Sequence, residues 1–310
     1  MGRFLRRFAP WLLLAATLGA TATVCVPPTG APPARTTANA RAALPRLRID
    51  FVAVGQGDAA LVTGPTGKML LIDGGPTEAG PTLTALLRAR QTKGIDLVLL
   101  THRHEDHLGG IAAVVRAFPV RLFMDAPFPH KSLVYEQLLE TLQERHVMVL
   151  NAQRGRTIDV GAGAILTLLS PPDPPITRSR SDVNANSVVV RLDYGTTGIL
   201  FAADAEPQTE RWLLASDARL PAQVLKVAHH GGRYSSTPRF LSAVSPTAAV
   251  ISVGAVNEYG HPTPEAIARL EQQRARVYRT DRDGTVTVES DGTRIEVTTA
   301  GGKREILVAR

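Results

Sequence analysis

Three histidines and an aspartate lie within six residues, which is denser than folding alone requires. His102, His104, Asp106 and His107 stand in the string Thr101-His-Arg-His-Glu-Asp-His-Leu-Gly-Gly110, and the whole chain has only eight histidines. Imidazole nitrogens and carboxylate oxygens are the ligands of divalent transition metals. In a curled loop, the first pair can serve one ion and the second pair another. The cluster therefore predicts a metal-dependent hydrolase.

Two further segments offer ligands. His229-His230 follows an apolar run and precedes Gly231-Gly232. Strand alternation predicts that only one of the two rings turns inward easily, and the sequence does not fix which one. Asp204 ends another apolar run, where its carboxylate can bridge two ions, cap the helix that follows or lie in a solvated turn.

Single polar residues near these segments have two interpretations each. His261 either orients a substrate and donates a proton, or stabilises a turn. Asp58 and Asp73 follow short strands beside glycines, so they either hold ligand imidazoles in place or serve as turn residues. His130 and His146 have no such companions, and we expect them on the surface.

The periodicity of apolar residues predicts alternating strands and helices. Residues 95–100 form a short apolar run typical of a buried strand, and this run ends at the histidine loop. Strands are predicted at 47–54, 59–63, 69–72, 95–100, 120–124, 147–150, 164–169, 187–194, 197–202, 223–228, 248–253, 277–280, 285–290 and 293–298. Helices are predicted at 82–90, 111–118, 132–145, 208–216, 240–244 and 264–273. The pattern predicts an α/β fold with helix-covered sheets.

The beginning of the chain predicts export. A basic start with three arginines, an apolar stretch at 9–20 and the small residues Ala20-Thr-Ala22 are typical of a signal peptide over 1–22. Residues 23–46 read as a flexible Ala/Pro/Thr-rich tether, and 47–310 as the hydrolase domain. We expect a secreted or extracytoplasmic protein. An uncleaved anchor and a lipid-modified Cys25 are the alternatives, and no membrane span is predicted beyond the leader.

Charge and cysteine content narrow the chemistry. The formal charge is +7, but six of the 35 basic residues lie in 1–46, which has no acidic residue. The remaining 29 basic residues face 28 acidic ones, so net charge does not indicate a nucleic-acid groove in 47–310. Cys25 is the only cysteine. Metal ligands in the domain must therefore be His, Asp or Glu.

The motif Thr-His-x-His-x-Asp-His-x-Gly-Gly at 101–110 resembles the signature of the metallo-β-lactamase fold. Other strings occur in an order that resembles the soluble hydrolase domain of ComEC-type DNA-uptake competence proteins. They include Val54-Gly-Gln-Gly-Asp-Ala59, Leu71-Ile-Asp-Gly74, Ala203-Asp-Ala-Glu206, Leu225-Lys-Val-Ala-His-His-Gly231 and Tyr259-Gly-His-Pro262. The resemblance covers residues 47–299.

This resemblance implies an αβ/βα four-layer sandwich of two mixed sheets flanked by helices. It implies one or two Zn²⁺ ions, or Mn²⁺, held by His102, His104, Asp106, His107, Asp204 and His229 or His230. Asp106 or Asp204 would position a metal-activated hydroxide. DNA or another phosphodiester is the implied substrate. Hydrolysis of a lactam, lactone or other ester stays open, as does a non-catalytic binding module.

One departure from the family pattern concerns a metal ligand. Many members have a further histidine between the first cluster and the bridging aspartate. Here the segment holds Asn184, Asn186 and Ser187 instead. One metal site is therefore expected to be weak or to be completed by oxygen ligands.

Overall fold

The computed structural model of the protein describes residues 45–307. The predicted signal peptide and nearly all of the predicted tether lie outside the described residues, so both stay predictions. Within 45–307, no helix is long and apolar enough to cross a membrane.

Two mixed β-sheets form the centre of the domain. The first has nine strands in the order β16-β15-β14-β1-β2-β3-β4-β5-β6, and the second has seven in the order β13-β12-β11-β10-β9-β8-β7. The strands are β1 Leu47–Phe51, β2 Ala60–Thr63, β3 Met69–Ile72, β4 Leu97–Leu100, β5 Leu122–Asp125, β6 Met148–Asn151, β7 Thr157–Gly161, β8 Ala164–Leu168, β9 Val190–Tyr194, β10 Thr197–Phe201, β11 Val224–Lys226, β12 Ala248–Ile251, β13 Arg276–Arg279, β14 Val286–Ser290, β15 Ile295–Thr299 and β16 Arg304–Leu307.

Helices cover the outer face of each sheet. They are α1 Gly80–Ala89, α2 Glu105–Leu108, α3 Ile111–Ala117, α4 Leu133–Glu144, α5 Asp182–Ala185, α6 Pro207–Ala215, α7 Pro238–Val244, α8 Pro264–Gln272 and α9 Thr280–Asp283. Side-chain caps start the longer ones where the sequence supplies a hydroxyl. Ser132 Oγ accepts the Tyr135 N–H before α4, and Thr263 Oγ1 accepts the Ala266 N–H before α8.

Three clusters of buried apolar side chains fill the spaces between the layers. One lies between the sheets and joins residues such as Ile49 and Leu99 to Ile199 and Val250. A second packs α1, α3 and α4 onto the first sheet, and a third packs α6, α7 and α8 onto the second sheet. Strand β4 has the sequence Leu-Val-Leu-Leu and is buried throughout, as a strand covered on both faces must be. The four-layer sandwich is confirmed.

The sequence-based element boundaries hold for most of the domain, with local corrections. Strands β7 and β16 were not predicted. Thr280 begins the short helix α9 rather than ending a strand. The strand predicted at 223–228 ends at Lys226, and a tight turn follows over Ala228–Gly231. That turn carries two of the candidate ligands.

The contact between the sheets depends on large side chains near the candidate site. The rings of Phe51 on β1 and Phe201 on β10 lie 5.6 Å apart. We expect Phe51→Ala to lower the free energy of unfolding by about 3–5 kcal/mol, because it leaves a cavity between the sheets. Urea denaturation measures this, with the exposed Val256→Ala variant as the control that stays within about 0.5 kcal/mol of wild type. A Phe51→Ala midpoint equal to that of the control would contradict the packing.

Candidate metal centre

The histidine loop is fixed where it leaves the sheet. Asp73, the first residue after β3, accepts the Thr101 N–H and the Thr101 hydroxyl at 2.8 Å each. Strands β3 and β4 are parallel neighbours, so the residues that follow them meet at one sheet edge. Asp73 thereby supports the loop that carries the predicted ligands, in agreement with its predicted positioning role.

Hydrogen bonds set the orientation of two buried imidazoles in this loop. His107 Nδ1 lies 2.9 Å from the Asp73 carboxylate. His102 Nδ1 lies 3.1 Å from Thr101 Oγ1, whose only hydrogen already goes to Asp73, so the His102 nitrogen is the donor. Both rings therefore carry a proton on Nδ1 and present the Nε2 lone pair to the centre, as ligand histidines do.

The second ligand loop has an unusual backbone. His229 and His230 both have φ of 52°, in the left-handed region that non-glycine residues rarely adopt. Strand alternation does not apply to such a turn, and both rings reach the centre. The prediction that only one turns inward was wrong. His230 Nδ1 donates to the Ser252 carbonyl at 3.0 Å, so its Nε2 atom faces Asp106, 3.1 Å from Oδ2.

The Asp204 carboxylate lies at the middle of the cluster. Its Oδ2 atom is 3.8 Å from His102 Nε2 and 3.7 Å from His229 Nε2. Its Oδ1 atom is 3.4 Å from His107 Nε2 and 3.8 Å from His230 Nε2. Asp204 does not cap the following helix, since Glu206 occupies that position. One carboxylate thus faces imidazoles from both ligand loops, as a bridging ligand would.

The donor atoms fit divalent cations. His107 Nε2 and Asp204 Oδ1 are buried and make no hydrogen bond within the described residues. Two triplets, His102–His107–Asp204 and Asp106–His107–His230, have all their ligand atoms within 4.8 Å of one another. Buried lone pairs without partners are costly unless a cation or proton lies between them. Nitrogen and carboxylate donors without thiolate suit Zn²⁺ or Mn²⁺.

Two of the remaining histidines lie near the candidate site and one lies on the surface. The His104 ring is half-buried beside His102, with 3.1 Å between Nδ1 and the His102 Nε2 atom. His130, expected on the surface, is half-buried with its ring 5.2 Å from that of His104, which corrects the expectation. His146 is exposed, as predicted. Nothing in the sequence around His130 indicates this proximity, because a loop after β5 brings it there.

His261 lies at the rim of the cluster, with its ring 5.6 Å from that of His229. Asn257 holds its backbone, since Asn257 Oδ1 accepts the His261 N–H and Asn257 Nδ2 donates to the His261 carbonyl. Burial and the neighbouring imidazoles of His229 and His230 lower the pKa of His261 to about 4. The ring is therefore neutral at pH 7, which favours orienting a substrate over donating a proton.

A buried lysine lies beneath the cluster and was missed from the sequence. Lys226 Nζ pairs with Asp58 Oδ2, and Asp58 Oδ1 is 3.3 Å from His230 Nδ1. Asp58 thus supports His230, as predicted. Burial would raise the pKa of Asp58, but Lys226 and the adjacent imidazoles lower it to about 2. The sequence does contain an indication of this pair. Lys226 stands in an otherwise apolar strand, and a buried lysine needs a partner of opposite charge.

The negative charge of the cluster also acts on the imidazoles. Burial lowers the pKa of His230, but the carboxylates of Asp204, Asp58 and Asp106 outweigh it and raise the value to about 10. Burial likewise lowers the pKa of His107, and the carboxylates of Asp204, Asp106 and Asp73 raise it well above normal. Protons therefore occupy these nitrogens when no cation does, and metal binding must displace them.

An open cleft of about 1270 Å³ gives access to the centre. Both acidic ligands line it, and Asp106 is the more accessible, with 31% of its side chain exposed against 3% for Asp204. Gly57 is required beside it, because a β-carbon there would collide with the Asp106 carbonyl oxygen. His104, His229 and His261 also line the cleft. A substrate can therefore reach the ligands directly from solvent.

Comparison with known proteins identifies the family. A family model described as the metallo-β-lactamase superfamily matches residues 52–255. The chain belongs to this superfamily. Two solved structures, YhfI from Bacillus subtilis and Zn²⁺-bound PqqB from Methylobacterium extorquens, align with a TM-score of 0.50 and 13% identity each. They cover 76% and 78% of this chain, and 96% and 99% of their own, and they support the fold alone.

Two relatives by sequence each match about three quarters of this chain. ComE operon protein 3 of Bacillus subtilis is 29% identical over 258 residues, which are 77% of this chain and 32% of that protein. Competence protein ComA of Neisseria gonorrhoeae is 30% identical over 234 residues, 75% of this chain and 30% of that protein. The chain therefore spans about a third of the length of these relatives. It is a ComEC-like metallo-β-lactamase domain.

The raised imidazole pKa values predict how the metal-free protein responds to pH. A histidine with a folded pKa of about 10 and an unfolded pKa of about 6.5 stabilises the fold fully below the lower value. This stabilisation is lost as pH rises through the higher one. In EDTA, the melting temperature should fall between pH 7 and pH 10.

Melting curves in EDTA at several pH values measure this, with Zn²⁺-loaded protein for comparison. The exposed His146→Asn variant should behave as wild type, and His230→Asn should show a smaller fall. A wild-type melting temperature that is constant from pH 7 to pH 10 in EDTA would contradict the assigned protonation.

Proposed function

We propose that the protein is an extracytoplasmic metal-dependent phosphodiesterase that acts on DNA. The observation that carries the proposal is the convergence of His102, His229, His107 and His230 on the two oxygens of Asp204. Such a set is able to hold two cations side by side. The sequence resemblance to DNA-uptake competence proteins supports DNA as substrate, and the signal-peptide pattern of residues 1–22 supports export.

Asp204 would serve both ions. His102, His104 and His229 would hold the first ion, and Asp106, His107 and His230 would hold the second. His229 would thus take the place of the histidine that this chain lacks before Asp204. Buried Glu206 lies 3.6 Å from His229 Nδ1, where a carboxylate would support the ring in that role.

The ions would supply Lewis acidity and lower the pKa of a water toward neutrality. This chain's own residues would position the water and orient the phosphate. Asp106 or Asp204 would position the attacking water, and Asp106 is the more exposed of the two. Neutral His261 at the rim is placed to orient the phosphate. The α/β sandwich holds these groups on loops that Asp73, Asp58 and Ser252 fix from below, so little reorganisation is needed.

Other substrates and a non-catalytic role are less well supported. Lactams, lactones and other esters would suit the same ligands and are the alternative substrates. A module that binds no cation would leave His107 Nε2 and Asp204 Oδ1, which face each other at 3.4 Å without a hydrogen bond, dependent on a shared proton alone. The retained ligand set therefore favours hydrolysis.

Removing a ligand should abolish the activity. We expect purified wild-type protein with Zn²⁺ or Mn²⁺ to cleave plasmid or single-stranded DNA, and His104→Ala to lose at least about 100-fold in rate, because a metal ligand is removed. Gel assays of DNA cleavage measure this. His146→Ala, an exposed histidine away from the cleft, is the control. Equal cleavage by wild type and His104→Ala would refute the catalytic role of the cluster.

Metal content tests the role of His229 independently of any substrate. We expect about two ions per wild-type chain by elemental analysis, and about one for His229→Ala, because the first ion loses its third nitrogen ligand. His261→Ala should retain both ions, since its ring lies outside the ligand set. If the His229→Ala variant retains both ions, the His229 ring does not bind metal.

A further inference from the structure

Two exposed tyrosines line the same cleft as the metal centre. Tyr234 is 50% exposed and Tyr259 is 60% exposed, and both face the cleft that His104, His229 and His261 line. Aromatic rings supply large contact areas with little loss of side-chain entropy. Two such rings beside one candidate site therefore indicate a planar ligand.

The Tyr234 ring is held by a neighbour. The guanidinium of Arg180 lies 4.0 Å from the ring centroid, in a cation–π contact. Arg180 comes from the loop before α5 and also lines the cleft. Because the ring remains half exposed despite this contact, ring area is left for a ligand to stack on.

The loop that carries Tyr234 is fixed from beneath by two charged side chains. Fully buried Glu210 accepts the N–H groups of Ser236 and Thr237. Arg269 donates to the carbonyl oxygens of Arg233 and Ser235 at 2.8 Å each. A surface loop held by a buried carboxylate and a guanidinium is preorganised, so a ligand need not pay to order it.

Tyr259 connects the cleft entrance to the centre. Its ring stacks on His261 with 5.7 Å between centroids and 29° between planes. The His261 ring lies 5.6 Å from that of His229. The rings of Tyr259 and His261 thus connect a base stacked at the cleft entrance to His229, a proposed metal ligand.

The charges around the cleft disfavour duplex DNA. Glu78, Glu105 and Glu258 line it, and Arg233 is paired with Glu265. Affinity for duplex DNA comes mainly from many Lys and Arg contacts to phosphates. Stacking on aromatic rings needs unpaired bases and tolerates any base sequence.

We propose that Tyr234 and Tyr259 form a stacking platform for the bases of single-stranded DNA, with the connecting backbone in the cleft that the candidate metal ligands line. This inference rests on the proposed function, because it names the form of DNA that the same site takes. It makes Tyr234 and Tyr259 determinants of substrate binding, and it makes Arg180, Glu210 and Arg269 residues that position the platform.

Fluorescence anisotropy in EDTA tests the platform without hydrolysis. The probes are a labelled 12-residue oligothymidylate, an abasic strand of the same length and a 12-base-pair duplex. We expect the purified protein to bind oligothymidylate more tightly than either other probe. Tyr234→Ala and Tyr259→Ala should each weaken binding of oligothymidylate by about 5- to 150-fold, the equivalent of about 1–3 kcal/mol per stacked base.

Matched variants separate stacking from folding defects. Tyr234→Phe keeps the ring and should bind as wild type, and Val256→Ala, on the loop of Tyr259, removes no ring and should also bind as wild type. Neither alanine variant should change affinity for the abasic strand. Equal affinity of wild type for the abasic strand and oligothymidylate, preference for the duplex, or unchanged binding by both alanine variants would overturn the proposal.

Hydrolysis of bis(p-nitrophenyl) phosphate by metal-loaded wild type distinguishes the two proposals. This small diester has no DNA strand to stack. Ring-dependent binding of oligothymidylate without diester hydrolysis would reject the phosphodiesterase assignment and keep the platform. Diester hydrolysis with equal binding of the abasic strand would reject the platform alone.

Discussion

Concentration of negative charge between the ends of the two sheets is the constraint on which the site depends. Asp58, Asp73, Asp106 and Asp204 lie close together, and three of them are almost fully buried. Burying carboxylates is costly unless cations and hydrogen bonds compensate them. Lys226 neutralises one, and imidazolium groups or divalent ions must neutralise the others. The raised pKa of His230 and the fit of the donor set to a metal therefore have the same physical origin.

Backbone turns at the strand ends direct these charged side chains toward one point. Asp73, Ala203, His229 and His230 all have positive φ although none is glycine. Such residues cost of order 1–3 kcal/mol each and persist where the surrounding structure holds them. Here they turn the chain sharply at strand ends, so that side chains from both sheets face one point. The stability of the sandwich supports these conformations.

Much of this arrangement was predictable from the sequence, because it depends on local patterns. Apolar runs located most strands, and the spacing of His102, His104, Asp106 and His107 located the first ligand loop. The positions of His229, His130 and Lys226 were not predictable in this way. The left-handed turn at His229 overrides strand alternation, the loop of His130 returns to the site through tertiary packing, and the partner of Lys226 is 168 residues away along the chain.

The order of strands in the first sheet has a consequence for assembly. Strand β1 pairs with β2 on one side and with β14 on the other, so residues 47–51 bond to residues 286–290. Pairing at such sequence separation is slow to form, because a long loop must close first. Until β14 pairs with it, β1 remains a sheet edge. The two ligand loops also meet only after a long stretch of chain has closed, because Asp106 and His230 are 124 residues apart along the chain.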